Sequence, residues 1–242
     1  MKCFTTNSWI AGYIRIYNMN LLFDLDGTLT DPYQGITTCI SHALVSLGRH
    51  SPPPTDLRWC IGPSLKNSFA RLLASNDHRL AEKALSIYRE RYSSVGLYEN
   101  EVYEAIPETL QALLDIGHTL FVATSKPMVF ARRIATHFRL DRYFKRIYGS
   151  ELNGTRNDKT SLIAHILEKE AITASDAFMI GDRKYDIIGA KANGVGSIGV
   201  LWGYGTKDEL VSSGAQVCLS RPQELTAIFN RSYPEYQNSG SG

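Results

Sequence analysis

Asp24 and Asp26 stand two residues apart in the run Asp24-Leu25-Asp26-Gly27-Thr28, directly behind the apolar Leu21-Leu22-Phe23. Side chains alternate along a strand, so two acids at that spacing point the same way when they continue it. Gly27 then lets the chain turn, which leaves both carboxylates at the carboxyl end of a strand and facing a crevice. Such a pair can divide labour: Asp24 as nucleophile and metal ligand, Asp26 as the group that shuttles a proton. Asp-Gly is also a common turn dipeptide, so a strand ending in a polar turn explains the same five residues. The rest of the chain has to choose.

The elements that would position these acids follow from periodicity. Ile36, Ile40, Ala43, Leu44 and Leu47 recur at helical spacing over 34–49, and similar patterns run over 64–75 and 78–95. No convincing strand lies between 30 and 100, and the Leu, Ile and Tyr positions there read as the core of a helical unit. Beyond Pro107 the pattern alternates: helices over 107–117, 128–138, 158–170 and 184–193 separate strands over 119–124, 145–149, 177–181, 197–201 and 216–219. Alternation of this kind predicts an α/β fold, a Rossmann-like parallel sheet core with helices on both faces. The strand before Asp24 joins that sheet, and the helical unit is inserted behind it. The expected division is a core of 19–32 and 101–231, a helical cap of 33–100, an N-terminal extension of 1–18 and a flexible tail of 232–242.

Composition narrows the class. The 242 residues are 43% hydrophobic and 21% charged, with net charge +2 and no blocks of one sign, which does not favour a nucleic-acid groove. Cys3, Cys39, Cys60 and Cys218 are far apart, with no Cys-x-x-Cys, as in a reduced, cytoplasmic protein. No apolar stretch approaches a membrane span, and the six histidines show no metal-ligand spacing.

In open parallel sheets ligands bind beyond the carboxyl ends of the strands. Those ends carry Asp24 and Asp26, then Thr124, Ser125 and Lys126, then Asp182, with Asp186 one turn into the next helix. Lys159 opens the helix before the strand that ends in Gly181-Asp182. Each has an ordinary explanation, as a helix cap or a solvated lysine. Together they would require four coincidences on one edge.

The set DLDGT, VATSK, Lys159 and GDRKYD, in this order, resembles the four motifs of the haloacid dehalogenase superfamily over about 19–229. Ile61-Gly62-Pro63-Ser64-Leu65 and Tyr148-Gly149-Ser150-Glu151-Leu152 resemble its phosphoglycolate phosphatase-like branch, which includes 5′-nucleotidases. The resemblance implies a helical cap and a phosphatase that forms an aspartyl-phosphate on Asp24. Magnesium suits the oxygen ligands implied, namely Asp24, the backbone carbonyl of Asp26 and Asp182, with Asp186 behind them or bound through water. Thr124 would bond a phosphate oxygen, Lys159 would balance charge, and Asp26 would protonate the leaving group and then activate water. An acid at position 26 sets the chain apart from the dehalogenases themselves and from phosphonate-cleaving relatives.

Substrate contacts are expected from Thr124, Ser125, Lys126, Lys66 and Arg58. Arg58 or Lys66 would meet a carboxylate or second phosphate, or else lie in solvent; Trp59 would stack on a base, or else fill the cap. Lys126 stays open between orienting the site acids and closing the strand end. The expected partner is a small-molecule phosphate ester, either phosphoglycolate or a nucleoside 5′-monophosphate, with neither a nucleic acid polymer nor a membrane. A sugar-phosphate mutase and a non-catalytic phospholigand-binding protein are the alternatives.

Overall fold

The computed structural model describes residues 18–75 and 77–229. The expected extension, but for Asn18, and the expected tail lie outside them. The chain enters through β1 (Asn20–Phe23) and β2 (Thr30–Asp31). Helices α1 (Tyr33–Ser46), α2 (Leu65–Leu72) and α3 (His78–Arg91) follow, and a π turn at Tyr92–Gly96 leads back to β3 (Glu101–Val102). Next come α4 (Ile106–Asp115), β4 (Thr119–Pro127), α5 (Met128–His137), β5 (Arg146–Ser150) and α6 (Lys159–Glu170). The series closes with β6 (Ala177–Gly181), α7 (Lys184–Ala192), β7 (Gly196–Val200), α8 (Lys207–Ser213), β8 (Val217–Leu219) and α9 (Glu224–Phe229).

Six strands form one sheet in the order β5-β4-β1-β6-β7-β8, and every neighbouring pair is parallel. From β1 the chain builds outward first through β4 and β5, then on the other side through β6, β7 and β8. The order therefore reverses at β1, which opens a crevice beyond its carboxyl end.

Burial explains why β1 takes the centre. Leu21, Leu22 and Phe23 are fully buried, each worth roughly 1.5–3 kcal/mol of transfer free energy. Alternation sends them to opposite faces. Leu21 and Phe23 join Leu120, Val122 and Ile180 in a core covered by α4, α5 and α9 and continuous with that of α1–α3. Leu22 joins Phe121, Ala123 and Met179 against Leu162, Ile163 and Ile166 of α6 and Ala190 of α7. Asp24 comes two residues after Leu22, and its N–H still donates to Ile180 O at 2.9 Å. Its side chain is thus directed to the face that α6 and α7 cover.

Four local differences from the periodic reading have physical causes. β2 and β3 pair antiparallel through only Thr30↔Val102 and Asp31↔Glu101, too short a ladder to leave an alternating pattern. The helix expected over 78–95 ends at Arg91, where the hydroxyls of Ser93 and Ser94 donate to the carbonyls of Glu90 and Arg91 and compete with the helical ladder. β4 continues three residues past Thr124 because a register shift between Ala123 and Pro127 lets Ser125-Lys126-Pro127 stay alongside β5. Helices α8 and α9, of seven and six residues, are too short for a periodic signal. Among the described residues no helix is long and apolar enough to cross a membrane.

Candidate active site

Asp24, Asp182 and Asp186 meet at the carboxyl ends of β1 and β6. One carboxylate oxygen from each lies within 4.8 Å of the others, and all three residues are buried. Each is held by a backbone N–H. Leu25 N–H donates to Asp24 Oδ1 at 2.7 Å, Tyr204 N–H to Asp182 Oδ2 at 2.8 Å, and Arg183 N–H to Asp186 Oδ2 at 3.1 Å. Gly27 makes the approach possible: its φ is +82°, and an added Cβ would stand 2.6 Å from Asp182 Cγ. Gly27→Ala is accordingly expected to cost roughly 1–2 kcal/mol through the left-handed backbone alone, and to displace Asp182. Denaturant unfolding measures the loss of stability.

Lys159 is the first residue of α6 and only 4% exposed. Its Nζ lies 3.0 Å from Asp24 Oδ1 and 2.6 Å from Asp186 Oδ1, and donates to Ala123 O at 2.8 Å. Gly189 of α7 permits this close approach, since a Cβ there would come 2.7 Å from Lys159 Cβ. Burial works against the ammonium, but Asp186 and Asp24 outweigh it and hold its pKa above the ordinary lysine value. Burial, and then the charges of Asp186 and Asp24, push the Asp182 carboxyl well above the usual carboxylate range. Burial likewise raises Asp186 to about 6, against the pull of Lys159. Three buried acids thus cluster around one buried lysine, which pairs with two of them, Asp24 and Asp186. A divalent, oxygen-preferring cation fits that donor set and that charge imbalance.

Asp26 faces a different partner. Lys126 Nζ lies 2.6 Å from Asp26 Oδ2, while Asp26 Oδ1 is buried without a hydrogen bond. Burial raises the Asp26 carboxyl and Lys126 opposes the rise. Of the two roles open to Lys126, the geometry matches the orienting of a site acid. The same register shift in β4 that prolongs the strand aims Lys126 inward, and Thr124 Oγ1 accepts its backbone N–H at 3.2 Å.

Asp24, Asp26, Thr124, Ser125 and Lys126 line one end of a cavity of about 660 Å³ between the sheet edge and the helical insert. Asp182, Asp186 and Lys159 stand behind Asp24. The insert contributes Ile36, Leu65, Leu85, Tyr88 and Tyr92, together with Lys66, Ser86 and Arg89. Lys66 lines the cavity but its Nζ already pairs with Glu82 at 2.7 Å, so its charge is shared. Arg58 lies elsewhere. Its guanidinium sits 5.5 Å from the Tyr33 ring centre and 5.0 Å from that of Tyr204, outside the cavity lining. Trp59 packs on the core of the insert under Arg71, at 4.3 Å, and also stays out of the lining.

Several contacts at the site could not be read from the sequence, even where the residues stood in recognisable motifs. Tyr92 continues the helical spacing of Tyr88 and reads as core, yet its hydroxyl accepts from Lys126 Nζ at 2.5 Å. Arg89 donates to Leu152 O at 3.2 Å, tying the insert to the loop that follows β5. Residues 150–154 and Asn157 of that region complete the far wall. Arg183, beside Asp182, donates to Ile61 O of the insert at 2.5 Å. Long reaches in sequence leave no local pattern.

This geometry accompanies clear likenesses to known proteins. A 5′-nucleotidase of Pseudomonas aeruginosa is 53% identical over 191 residues, 79% of this chain and 86% of that protein. The tyrosine-protein kinase PtkA of Mycobacterium tuberculosis is 37% identical over 188 residues, 78% of this chain and 64% of that protein. A phosphoglycolate phosphatase of Colwellia psychrerythraea is 27% identical over 218 residues, 87% of this chain and 96% of that protein. Among solved structures, a predicted phosphatase from Clostridium acetobutylicum superposes with a TM-score of 0.83 at 40% identity, covering 88% of this chain and 98% of that one. The family model for haloacid dehalogenase-like hydrolases matches residues 21–200, the span that holds every acid and lysine of the site. The chain belongs to the haloacid dehalogenase-like hydrolase family.

Proposed function

We propose that the chain is a magnesium-dependent phosphatase that cleaves a nucleoside 5′-monophosphate, or a phosphate monoester of similar size, through a phosphoryl group carried transiently on Asp24. One observation carries the reading: Asp24 shares the buried acid cluster and Lys159 on one side, and borders a cavity beside Asp26 on the other. Asp24, Asp182 and the Asp26 backbone carbonyl would hold magnesium, with Asp186 behind them. When bound, the ion supplies the positive charge that lets a carboxylate approach an anionic phosphate.

The remaining roles belong to the chain itself. Asp24 attacks phosphorus, and the bond to the leaving oxygen breaks in line. Thr124 and Ser125 bind the non-bridging oxygens, while Lys159 offsets the charge that collects on Asp24 and the phosphoryl group. Asp26 gives its proton to the leaving oxygen, then takes one from the water that hydrolyses the aspartyl-phosphate. The insert over 33–100 acts as a cap over the core of 19–32 and 101–231, and excludes water while the first step runs.

Cavity size supports the nucleotide reading over the two-carbon acid. A volume of about 660 Å³ falls within the roughly 300–1,000 Å³ typical of sites that enclose drug-sized ligands. A two-carbon acid such as phosphoglycolate would leave most of it to water, whereas a nucleoside would reach Leu85, Ser86 and Asn157. Phosphate release across nucleoside 5′-monophosphates, phosphoglycolate and sugar phosphates, with magnesium and with chelator, is the test. The nucleotides are expected to lead by about tenfold or more in kcat/KM, and chelation to silence all of them. No release from any ester with magnesium present, or rates indifferent to chelation, would refute the proposal.

A further inference from the structure

We propose that Tyr92, carried by the helical insert, is the positioning residue of the proton donor: its hydroxyl anchors Lys126, and Lys126 in turn fixes Asp26. The inference rests on the acid/base role given to Asp26 above. It deepens that role by naming what holds the carboxyl in place.

Three groups form an unbroken relay. The Lys126 ammonium stands 2.5 Å from Tyr92 Oη and 2.6 Å from Asp26 Oδ2, and 4.8 Å from the centre of the Tyr92 ring. The Lys126 side chain is only 6% exposed, and its ammonium is held between Tyr92 and Asp26. Tyr92 is itself immobilised. Its ring stacks on Tyr88 at 5.1 Å and 14° between planes, and meets Phe130 of α5 edge-on at 5.6 Å and 77°. It opens the π turn through which the insert returns toward the sheet, an irregularity often found at functional sites.

The arrangement divides the two oxygens of Asp26. Oδ2 is tethered by Lys126; Oδ1 is buried without any hydrogen bond. With Oδ2 held, the carboxyl is fixed in one orientation, and Oδ1, which has no partner of its own, is the oxygen this arrangement assigns to the leaving group. When the phosphorus–oxygen bond breaks, its electron pair stays on the leaving oxygen and the Asp26 proton neutralises it. The resulting carboxylate faces the Lys126 ammonium. Tyr92 exchanges no proton in either step. Because Tyr92 belongs to the insert and Asp26 to the sheet edge, the donor is oriented only while the insert is seated.

Tyr92→Phe removes the anchoring hydroxyl and keeps the ring that Tyr88 and Phe130 hold. The discriminating readout is the dependence on leaving group, in magnesium-loaded enzyme. A nucleoside 5′-monophosphate expels a strongly basic alkoxide that needs the Asp26 proton, whereas p-nitrophenyl phosphate expels a weak base that needs little help. Tyr92→Phe is expected to lower kcat/KM about tenfold or more for the nucleotide and less than about threefold for the nitrophenyl ester. Lys126→Met, which breaks the relay at its centre, should reproduce the pattern even if Tyr92→Phe folds poorly. Equal losses on both esters would reduce Tyr92 to a structural role, and no loss on either would remove it from the site. Asp26→Asn run alongside separates the two levels. If it shows the leaving-group pattern and the Tyr92 and Lys126 variants do not, the positioning role alone falls. If Asp26→Asn lacks the pattern, the acid/base assignment fails and the relay with it.

Discussion

Asp24→Asn is expected to lose phosphate release by a factor of about 10⁴ or more while the protein folds normally. The amide is nearly isosteric with the carboxylate. Its oxygen can still accept the Leu25 N–H that now donates to Asp24 Oδ1 at 2.7 Å. What it lacks is the negative charge and the lone-pair basicity that attack phosphorus. The same change removes one of three carboxylates crowded within 4.8 Å, so without a metal the variant should be no less stable than the parent. Phosphate release measured beside thermal unfolding checks both halves. A variant retaining a tenth of the parental turnover would show that the nucleophile lies elsewhere.

Lys159→Met should be the most destabilising single change at the site. Methionine keeps much of the apolar stem and its volume, so little cavity opens. The ammonium, however, is the common partner of Asp24 at 3.0 Å, Asp186 at 2.6 Å and Ala123 O at 2.8 Å, in a position 4% exposed. Losing one side of a buried ion pair leaves uncompensated charge, which costs roughly 3–5 kcal/mol. Magnesium should return part of that stability by supplying charge to the same carboxylates, while turnover stays low because nothing then balances the phosphoryl charge beside Asp24. Urea unfolding with and without magnesium tests the claim. A loss under about 1 kcal/mol without magnesium would contradict it, since that is the range of exposed pairs.

How much of this was legible depends on the range over which each signal acts. Strand and helix identity depend on neighbours one to four residues away, and the α/β alternation beyond Pro107 follows from them. The acids at 24, 26, 182 and 186 and the lysine at 159 sit where strand ends and helix starts are marked by Gly27, Gly181 and Asp158, so their rim placement was visible before any coordinates. The helical insert was visible for the same reason. Its short ladder at 30–31 and 101–102 and the break at Tyr92 were not, because two-residue pairings and hydroxyl competition leave no periodic trace.

Partnership between distant side chains is the part that tertiary structure alone decided. Arg58 and Trp59 carry suitable chemistry for a substrate, but the turn of the insert sends one between Tyr33 and Tyr204 and the other into apolar packing. Lys126 could have closed a strand end; the register shift in β4 brings it to Asp26 instead. Tyr92 carried only a hydrophobic reading, since helical spacing reports which face is buried and says nothing of where a phenolic hydroxyl will arrive. By itself the sequence determined the chemistry-bearing groups and the sheet edge that gathers them, because local periodicity and turn residues govern both. Which groups touch, and how large a space they enclose, required the packed chain, because the contacts of Tyr92 with Lys126, Lys126 with Asp26 and Lys159 with Asp24 join residues 34 to 135 positions apart.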